Sequence, residues 1–240
     1  MAEILILREG DRSGRHNMAR DLALADLVRR DGQARLRLYG WRRPTLSIGY
    51  GQSPQAFRPQ RLRELGVDFV RRPTGGRAVL HQHEVTYAFA VPARDLPGDV
   101  VATYLEIARP LLAALQELGA DVGLAGDPGK PSLDENCFQQ PSWYEIEVGG
   151  RKLLGSAQVR HLGVLLQHGA LPLRLDYRLW AQVFGARDPQ GYEAAMRRRA
   201  IDLAEAVGRE PSRREVRSAL ARAFANWWAD RPKEEPQIAR

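Results

Sequence analysis

The sequence contains very little cysteine and very little lysine. Cys137 is the only cysteine among 240 residues, which excludes a disulfide within the chain. Lysine occurs only at Lys130, Lys152 and Lys233, so arginine supplies nearly all of the 36 basic residues. Such a preference for arginine reflects the base composition of the genome or a hot habitat. The pKa of lysine shifts readily on burial, whereas that of arginine does not. A lysine in an apolar setting therefore indicates a site where the side chain gains or loses a proton.

Long apolar runs are also missing. No stretch approaches the roughly 20 consecutive apolar residues that a transmembrane helix needs, and residues 1–12 lack the layout of a signal peptide. We therefore expect a cytoplasmic protein without a membrane span. With 44% hydrophobic and 27% charged residues, the composition is typical of a globular protein with a sizeable core. The formal net charge of +7 favours the approach of acidic partners.

Several motifs that define a function class are absent. No glycine pattern of the P-loop or dinucleotide-binding type opens a helix after a strand, and there is no Gly-x-Ser-x-Gly elbow of a serine hydrolase. The five histidines are scattered, so no metal site is expected, even at His81 and His83. Aromatic residues are not interleaved with the arginines as in a nucleic-acid-binding module, so no nucleic acid partner is expected.

Short strand patterns dominate the middle of the sequence, and helical patterns lie at both ends and in one central stretch. Strands are expected at 4–7, 35–41, 45–50, 67–70, 84–91, 143–148, 152–160 and 164–168. Helices are expected at 18–30 with Asn17 as the N-cap, and at 54–65, 103–118, 178–184, 191–203 and 212–228. Pro110 predicts a kink or a break in the central helix. These patterns are typical of the α+β class.

Two adjacent glycines, Gly75 and Gly76, stand between two strand patterns. Such a pair indicates a backbone with positive φ or the close approach of another group. Arg72 and Arg77 bring fixed positive charge to either side of the pair. The spacing leaves two interpretations open, a hairpin turn with solvated arginines or a binding loop.

Cys137 lies in a stretch, 127–141, that is rich in Pro, Gly, Asp and Asn and is predicted to be a loop. Lys152 follows fifteen residues later, after a strand pattern and a hairpin signal at Gly149-Gly150. A hairpin of this size can bring Lys152 back beside the loop. A lysine ammonium lowers the pKa of a nearby thiol from about 8.5 toward 7, and the thiolate attacks acyl groups. A lone cysteine that is simply a small buried hydrophobic residue is the alternative.

Longer motifs narrow the choice. The N-terminal half contains Asn17-Met18 with Asp21, Pro44 through Gly49 to Gln52, and Arg71-Arg72-Pro73-Thr74-Gly75-Gly76-Arg77-Ala78-Val79-Leu80-His81 followed by Glu84-Val85-Thr86-Tyr87. Further on stand Cys137-Phe138, Pro141-Ser142-Trp143-Tyr144-Glu145, Gly150-Arg151-Lys152, Gly155-Ser156-Ala157-Gln158 and Gln167-His168-Gly169. Over residues 15–175 the chain resembles the superfamily of lipoate–protein ligases, octanoyltransferases and biotin ligases. The second set of motifs looks like its cysteine-dependent octanoyltransferase branch.

The resemblance implies an α+β fold, a biotin/lipoate ligase-like catalytic domain with mixed, mainly antiparallel sheets and flanking helices. It implies a catalytic core over residues 1–176, a C-terminal helical part of the same unit over 177–230, and a flexible tail over 231–240. A monomer is expected.

The resemblance also implies an activity. Enzymes of this branch transfer an octanoyl group from acyl carrier protein to the lysine of a lipoyl-domain protein, such as the glycine cleavage H protein, in lipoate biosynthesis. It implies Cys137 as the thioester nucleophile and Lys152 as the group that lowers its pKa and touches the thioester carbonyl, with neither ATP nor a metal. The acyl channel or the carrier arm would contact Arg72, Gly75, Gly76, Arg77 and His81. The opposite wall would comprise Gly155, Ser156, Ala157, Gln167, His168 and Gly169.

Three other functions are kept as alternatives. The first is an ATP-dependent lipoate–protein ligase, whose glycine motif usually carries a third glycine where Arg77 stands and an Asn-Asp pair where Cys137 sits. The second is an octanoyl amidotransferase between lipoyl domains, which uses the same cysteine strategy. The third is a non-catalytic binding protein on this scaffold, which needs no reactive Cys137.

Overall fold

The computed structural model describes residues 3–125 and 145–231, and within these ranges the chain forms two sheets with flanking helices. The strands are β1 (Leu5–Arg12), β2 (Arg35–Trp41), β3 (Thr45–Ile48), β4 (Asp68–Arg71), β5 (Val79–His81), β6 (His83–Pro92), β7 (Gly123–Leu124), β8 (Ile146–Val148), β9 (Arg151–His161) and β10 (Val164–Arg174). The helices are α1 (Gly14–Asp31), α2 (Pro59–Glu64), α3 (Val100–Glu117), α4 (Tyr177–Val183), α5 (Pro189–Arg199), α6 (Leu203–Val207) and α7 (Arg213–Ala229).

The larger sheet has seven strands in the order β1-β2-β6-β10-β9-β8-β7, and the smaller sheet has three in the order β4-β3-β5. Neighbouring strands are antiparallel except for the pairs β1–β2 and β3–β4, which are parallel. The prediction of an α+β fold with mixed, mainly antiparallel sheets is therefore confirmed.

Strand β6 shows how the two faces of the larger sheet differ. Its bulky residues, such as Tyr87 and Phe89, pack into the main core with residues of α3 and α7. Its small residues, Ala88 and Ala90, point to the other face and pack against α1. Successive side chains of a strand alternate between faces, so the alternation of bulky and small residues sorts them in this way. The face that carries α1 is the one on which the candidate site lies.

Helix α1 begins earlier than the sequence predicts. Ser13 is its N-cap, and the Ser13 side chain accepts a hydrogen bond from the His16 amide. The predicted cap, Asn17, is wrong, because Asn17 lies inside the helix and donates its buried side-chain Nδ2 to the Gly40 carbonyl at 3.0 Å. The Asn17 side chain therefore links α1 to β2, and Ser13 accepts the hydrogen bond at the N-terminus of the helix.

Of the kink or break predicted at Pro110, the break does not occur, because α3 continues through this residue from Val100 to Glu117. A proline inside a helix costs about 3 kcal/mol through the lost hydrogen bond and the ring clash. The helix buries Ile107, Leu111 and Leu115 in the main core. Burying three such side chains contributes about 1.5–3 kcal/mol each, which outweighs the cost of the proline.

Two other helices predicted as single stretches are interrupted. In the stretch 54–65, a short 3₁₀ turn at Pro54–Ala56 precedes α2, which begins with Pro59 at its first position. In the stretch 191–203, α5 ends at Arg199 and Ala200 adopts an extended conformation. Ala200 makes an isolated parallel bridge with Lys152, and the Ile201 amide donates to the Lys152 carbonyl at 3.0 Å. The interruption therefore places a second chain segment against Lys152.

The Gly75-Gly76 pair does not form a hairpin turn. It joins β4 to β5, and these two strands lie on opposite sides of β3 rather than side by side. The connection must therefore pass over the end of β3. We call residues 72–78 the glycine loop.

A β-bulge in β9 changes the direction of its side chains near the start of the strand. Glu147 of β8 pairs with Lys152, but the next residue, Ile146, pairs with Leu154, so Leu153 is the extra residue. Leu153 and Leu154 both enter the main core. Lys152 is thereby placed on the same face as Gly155, and the Lys152 Cε atom lies 2.8 Å from the position a Cβ at Gly155 would occupy.

The C-terminal helices pack against both sheets. Tyr177 and Trp180 of α4 and Met196 of α5 join the core of the small sheet. Val216, Leu220 and Phe224 of α7 join the main core beneath the large sheet. The division at residue 176 stays a prediction, and the tail predicted at 231–240 lies outside the described residues except for Arg231. Within the described ranges, no helix combines the length and the hydrophobicity that a membrane span requires.

Candidate active site

The glycine loop is held from inside by Arg72, which is only 4% exposed. Its guanidinium donates to the carbonyls of Ser47 at 3.1 Å, Gly75 at 2.8 Å and Arg77 at 2.7 Å. A planar guanidinium with several donors can fix three carbonyls at once, which a lysine cannot do. The predicted binding residue Arg72 thus shapes the loop, while Gly75 and Gly76 at its tip are exposed.

The loop lies directly against the end of β3. The Tyr50 amide donates to the Thr74 carbonyl at 2.9 Å. A Cβ at Gly49 would lie 1.9 Å from the Gly76 carbonyl oxygen, so only glycine fits at position 49. Gly76 itself has a φ of 86°, in the left-handed region that favours glycine. The close approach expected of the glycine pair is therefore made by the chain's own backbone.

His81 is buried beneath this loop. One ring nitrogen, Nε2, lies 2.8 Å from Ser47 Oγ, and Nδ1 lies 2.8 Å from Glu84 Oε1. The ring stacks on Trp41 with a centroid distance of 3.9 Å. The Trp41 indole donates to Thr86 Oγ1, which in turn donates to Glu84 Oε1. Every polar atom of the imidazole is thus engaged, and its position is fixed by the sheet.

His168 reaches the loop from the other side. Its Nε2 lies 2.7 Å from Thr74 Oγ1, and its Nδ1 lies 3.1 Å from Asp21 Oδ2. Burial lowers the pKa of His168 below its ordinary value, so the neutral imidazole is favoured. Asp21 is also fixed, since it accepts from Arg37 at 2.7 Å and from the Tyr39 hydroxyl at 2.9 Å.

Lys152 forms a buried ion pair with Glu145. Its Nζ lies 2.5 Å from Glu145 Oε1, and both side chains are 3% exposed. The sequence motifs include Glu145 but assign it no role. A buried lysine ammonium requires a carboxylate partner. A glutamate seven positions before Lys152 was therefore a signal that could have identified Glu145. Through the bulge in β9, this pair lies on the sheet face that also carries Ala157 and His168, which are register partners.

Two of the predicted wall residues have side chains on the other face. Ser156 Oγ lies 2.7 Å from the Tyr87 hydroxyl, and Gln167 Nε2 donates to that hydroxyl at 2.8 Å. Burial raises the pKa of Tyr87 to about 12. A Cβ at Gly169 would also meet the Tyr87 ring, at 2.5 Å. Of the six predicted wall residues, Gly155, Ala157 and His168 therefore lie on the sheet face that carries α1, where His168 contacts the glycine loop, and Ser156, Gln167 and Gly169 lie on the face of the main core.

A cleft of about 660 Å³ lies between α1, the turn after β3 and the β9–β10 turn. Its inner wall includes Met18, Val159 and Leu166, which belong to the core under α1. Arg72 and Pro73 of the glycine loop also line it. An apolar cleft beside a fixed polar network can hold an acyl chain next to a reacting carbonyl.

The predicted nucleophile, Cys137, lies outside the described residues. Among the described residues no group of three or more His, Cys, Asp or Glu side chains could hold a metal ion. The residues that connect the two histidines to the rest of the site, Ser47, Thr74, Asp21 and Glu84, were given no role by the sequence. All four lie within its motifs, but the histidine partners of Ser47, Thr74 and Asp21 are distant in the chain.

The family model of the lipoyl protein ligase A/B catalytic domain matches residues 13–225. The chain belongs to this family. Two relatives named Octanoyltransferase LipM are similar over most of their length. The one from Symbiobacterium thermophilum is 42% identical over 234 residues, 92% of this chain and 84% of the relative. The one from Carboxydothermus hydrogenoformans is 40% identical over 220 residues, 89% of this chain and 82% of the relative. The resemblance to the octanoyltransferase branch is thereby confirmed.

Solved structures of this family share the fold. A lipoate-protein ligase A bound with ATP has a TM-score of 0.75 at 23% identity, covering 98% of this chain and 88% of that one. A bi-partite lipoate protein ligase from Thermoplasma acidophilum, described with its E2 lipoyl domain, has a TM-score of 0.75 at 21% identity, with 98% and 87% covered. The expected lipoate ligase-like fold is confirmed.

Proposed function

We propose that this member of the lipoyl protein ligase family transfers an octanoyl group from octanoyl-acyl carrier protein, through a thioester on Cys137, to the lysine of a lipoyl-domain protein. The buried Lys152–Glu145 ion pair carries the proposal. It fixes Lys152, one of only three lysines in the sequence, on the sheet face beside the glycine loop. Relatives at 40–42% identity named Octanoyltransferase LipM support the reaction. The enzyme is an acyltransferase of lipoate biosynthesis acting in the cytoplasm.

The first step is thioester exchange. The Cys137 thiolate attacks the carbonyl carbon of the donor, a new C–S bond forms, and the C–S bond to the carrier arm breaks as the carrier thiolate leaves and takes a proton. The Lys152 ammonium favours the Cys137 thiolate and lies near the developing oxyanion. Glu145 keeps that ammonium in place. One thioester replaces another at nearly equal energy, so no ATP is needed.

The second step forms an amide. The lysine amine of the acceptor attacks the Cys137 thioester, the C–N bond forms, and the Cys137 thiolate is released while the nitrogen loses a proton. An amide is more stable than a thioester, so this step is downhill. In this proposal, backbone N–H groups at the tip of the glycine loop, where Gly75 and Gly76 are exposed, donate to the tetrahedral oxyanion.

The octanoyl chain occupies the cleft between α1 and the β9–β10 turn. Burial against Met18, Val159 and Leu166 contributes about 0.8 kcal/mol per methylene. The volume of about 660 Å³ lies within the range of small-molecule pockets, so an eight-carbon chain and part of its carrier arm fit together.

Intact-protein mass spectrometry after incubation with octanoyl-acyl carrier protein and no ATP tests this function. We expect one octanoyl group on the protein, removed by neutral hydroxylamine and absent from Cys137→Ala. The octanoylated protein should then transfer the group to a lipoyl domain. No adduct without ATP, together with acyl-adenylate formation from free acid and ATP, would assign the chain to the ligase reaction instead. Transfer from one octanoylated lipoyl domain to another, without reaction with the carrier protein, would identify an amidotransferase.

A further inference from the structure

Three of the most exposed large apolar side chains surround the mouth of the cleft. Tyr50 is 72% exposed, Leu162 69% and Leu22 55%, and all three line the cleft. They come from three separate parts of the chain, namely the turn after β3, the β9–β10 turn and α1. Single exposed apolar residues are ordinary on protein surfaces, but their convergence around one opening marks an interaction surface. We call these three residues the apolar collar.

Leu162 is held in an unfavourable backbone conformation. It has a φ of 47° and is the one non-glycine residue with positive φ among residues 3–125 and 145–231. It forms the two-residue turn between β9 and β10 together with Gly163, whose φ is 77°. Such turns favour Asn or Gly at both positions, and leucine there is strained. The turn therefore carries a large apolar side chain at a position where a polar residue fits better.

The charges at the opening are mainly positive. Arg29 and Arg71 line the cleft with the collar, and the Arg71 guanidinium also donates to the carbonyls of Gly49, Tyr50 and Gln52. Asp26 is the one carboxylate among the described lining residues, and it is paired with Arg29 at 2.7 Å and also with Arg30. The opening therefore presents an apolar surface that is bordered mainly by positively charged side chains.

We propose that the apolar collar is the docking surface for the acyl donor, octanoyl-acyl carrier protein, and not for the lipoyl-domain acceptor. The inference rests on the proposed function and names the partner of its first step. The carrier's acyl group is attached through an arm that contains a phosphodiester, and arginines bind phosphate well. The acceptor's reacting group is a lysine, whose ammonium is repelled by the same arginines. The acyl chain passes the collar to reach the inner wall of the cleft.

Two collar variants test the proposal. Leu162→Asn removes the apolar side chain and places in the turn a residue that tolerates positive φ, so the fold is retained. Leu22→Gln changes one exposed side chain on α1, and Leu27→Gln on the same helix is its matched control, since Leu27 is 40% exposed and does not line the cleft. The rate of Cys137 octanoylation is measured with octanoyl-acyl carrier protein and with octanoyl-N-acetylcysteamine, a small thioester without phosphate or protein.

We expect each collar variant to raise the KM for the carrier protein about tenfold, and to lower the preference for the carrier over the small thioester by the same factor. Leu27→Gln should keep the wild-type preference. If both collar variants kept the wild-type preference for the carrier protein over the small thioester, the docking proposal would be overturned. The proposed Cys137 thioester would not be affected by that result. Slower transfer from octanoylated enzyme to the lipoyl domain, with normal loading, would overturn it in favour of the acceptor.

Binding tested without turnover separates this proposal from the proposed function. In a Cys137→Ala background, fluorescently labelled octanoyl-acyl carrier protein should bind about tenfold more weakly when Leu162→Asn is added. Equal binding by Cys137→Ala and by the double variant with Leu162→Asn would overturn the proposed docking surface, whether or not the wild-type protein forms a thioester. Weaker binding without thioester formation would support the collar and reject the reaction.

Discussion

Two buried histidines link hydroxyl groups to carboxylates: His168 connects the glycine loop to α1, and His81 connects the adjacent strand β3 to β6. His81 lies between Ser47 and Glu84, and His168 lies between Thr74 and Asp21. A neutral imidazole has one donor and one acceptor nitrogen, so it can link a hydroxyl to a carboxylate without adding charge to the interior. The two imidazoles therefore help to fix the shape of the site around the loop.

The pH dependence of stability follows from His168. Burial lowers its pKa in the folded state below the ordinary value of 6.5, which the unfolded chain retains. As pH falls from 6.5 through the folded-state pKa, the unfolded state binds a proton that the folded state does not, so stability is lost over this window. Urea titrations at pH values above and below 6.5 should show this loss, and His168→Gln should reduce it. An identical pH dependence in the variant would contradict the assignment.

Glu145 is a positioning residue for Lys152. In Glu145→Gln the buried ammonium loses the carboxylate that holds it, which costs about 3–5 kcal/mol in free energy of unfolding. We also expect Cys137 acylation to slow by more than about tenfold, with a shifted pH–rate profile, because an ammonium that is no longer held in place favours the Cys137 thiolate less.

Glu147→Gln is the matched control for that variant. Glu147 is the register partner of Lys152 on β8, but it is half-buried and does not hold the ammonium. Stability and pH–rate profile close to wild type are expected. If both variants behaved alike, general electrostatics rather than the ion pair would explain the loss.

At the scale of elements, the contact between β3 and the glycine loop decides where the loop lies. Gly49 ends this strand region and lets the Gly76 carbonyl approach its Cα closely. Arg72 fixes the same loop from below through three carbonyls. The bulge at Leu153 does comparable work in β9, because it turns Lys152 toward the site.

Gly49→Ala tests the loop contact. A methyl group at this position overlaps the Gly76 carbonyl, so the loop must shift, at a cost of about 1–3 kcal/mol in stability. Acylation of Cys137 by octanoyl-acyl carrier protein should also fall. Gly51→Ala is the control, because nothing lies within 4 Å of a Cβ there. Thermal unfolding of the two variants measures the difference, and equal stability would mean that the loop yields freely.

At the scale of the whole molecule, the large sheet is buried between α3 and α7 on one face and α1 with the small sheet on the other. Phe224 of α7 packs against both Tyr87 and Phe89 of β6, with ring centroids 5.9 and 5.5 Å away. The C-terminal helix thus completes the core beneath the strand that supports the site. Residues after 176 are structurally coupled to those before it.

Phe224→Ala tests this coupling. Removing the ring opens a cavity in the main core, which should lower the free energy of unfolding by about 3–5 kcal/mol. Asn226→Ala, exposed on the same helix, should change it by less than about 0.5 kcal/mol. Denaturant titration should show one transition for both variants. A second, separate transition in Phe224→Ala would instead indicate that the C-terminal helices unfold independently.

The sequence by itself determined many of the local elements and the family. Alternation along residues 84–91 predicted β6, the glycines at 149 and 150 predicted the turn between β8 and β9, and the motifs identified the octanoyltransferase branch. These features depend on neighbouring residues, so a linear pattern records them. The fold class followed from the same patterns.

Only the tertiary structure decided which residues meet. His168 and Asp21 are 147 positions apart, and no periodicity indicates that they share a hydrogen bond. The side on which Lys152 faces depends on one extra residue in β9, and its partner Glu145 depends on the pairing of β8 with β9. The glycine pair resembled a hairpin because local spacing does not reveal that β3 lies between β4 and β5. Strand order and register arise from long-range packing, and that packing turned separate motifs into one site.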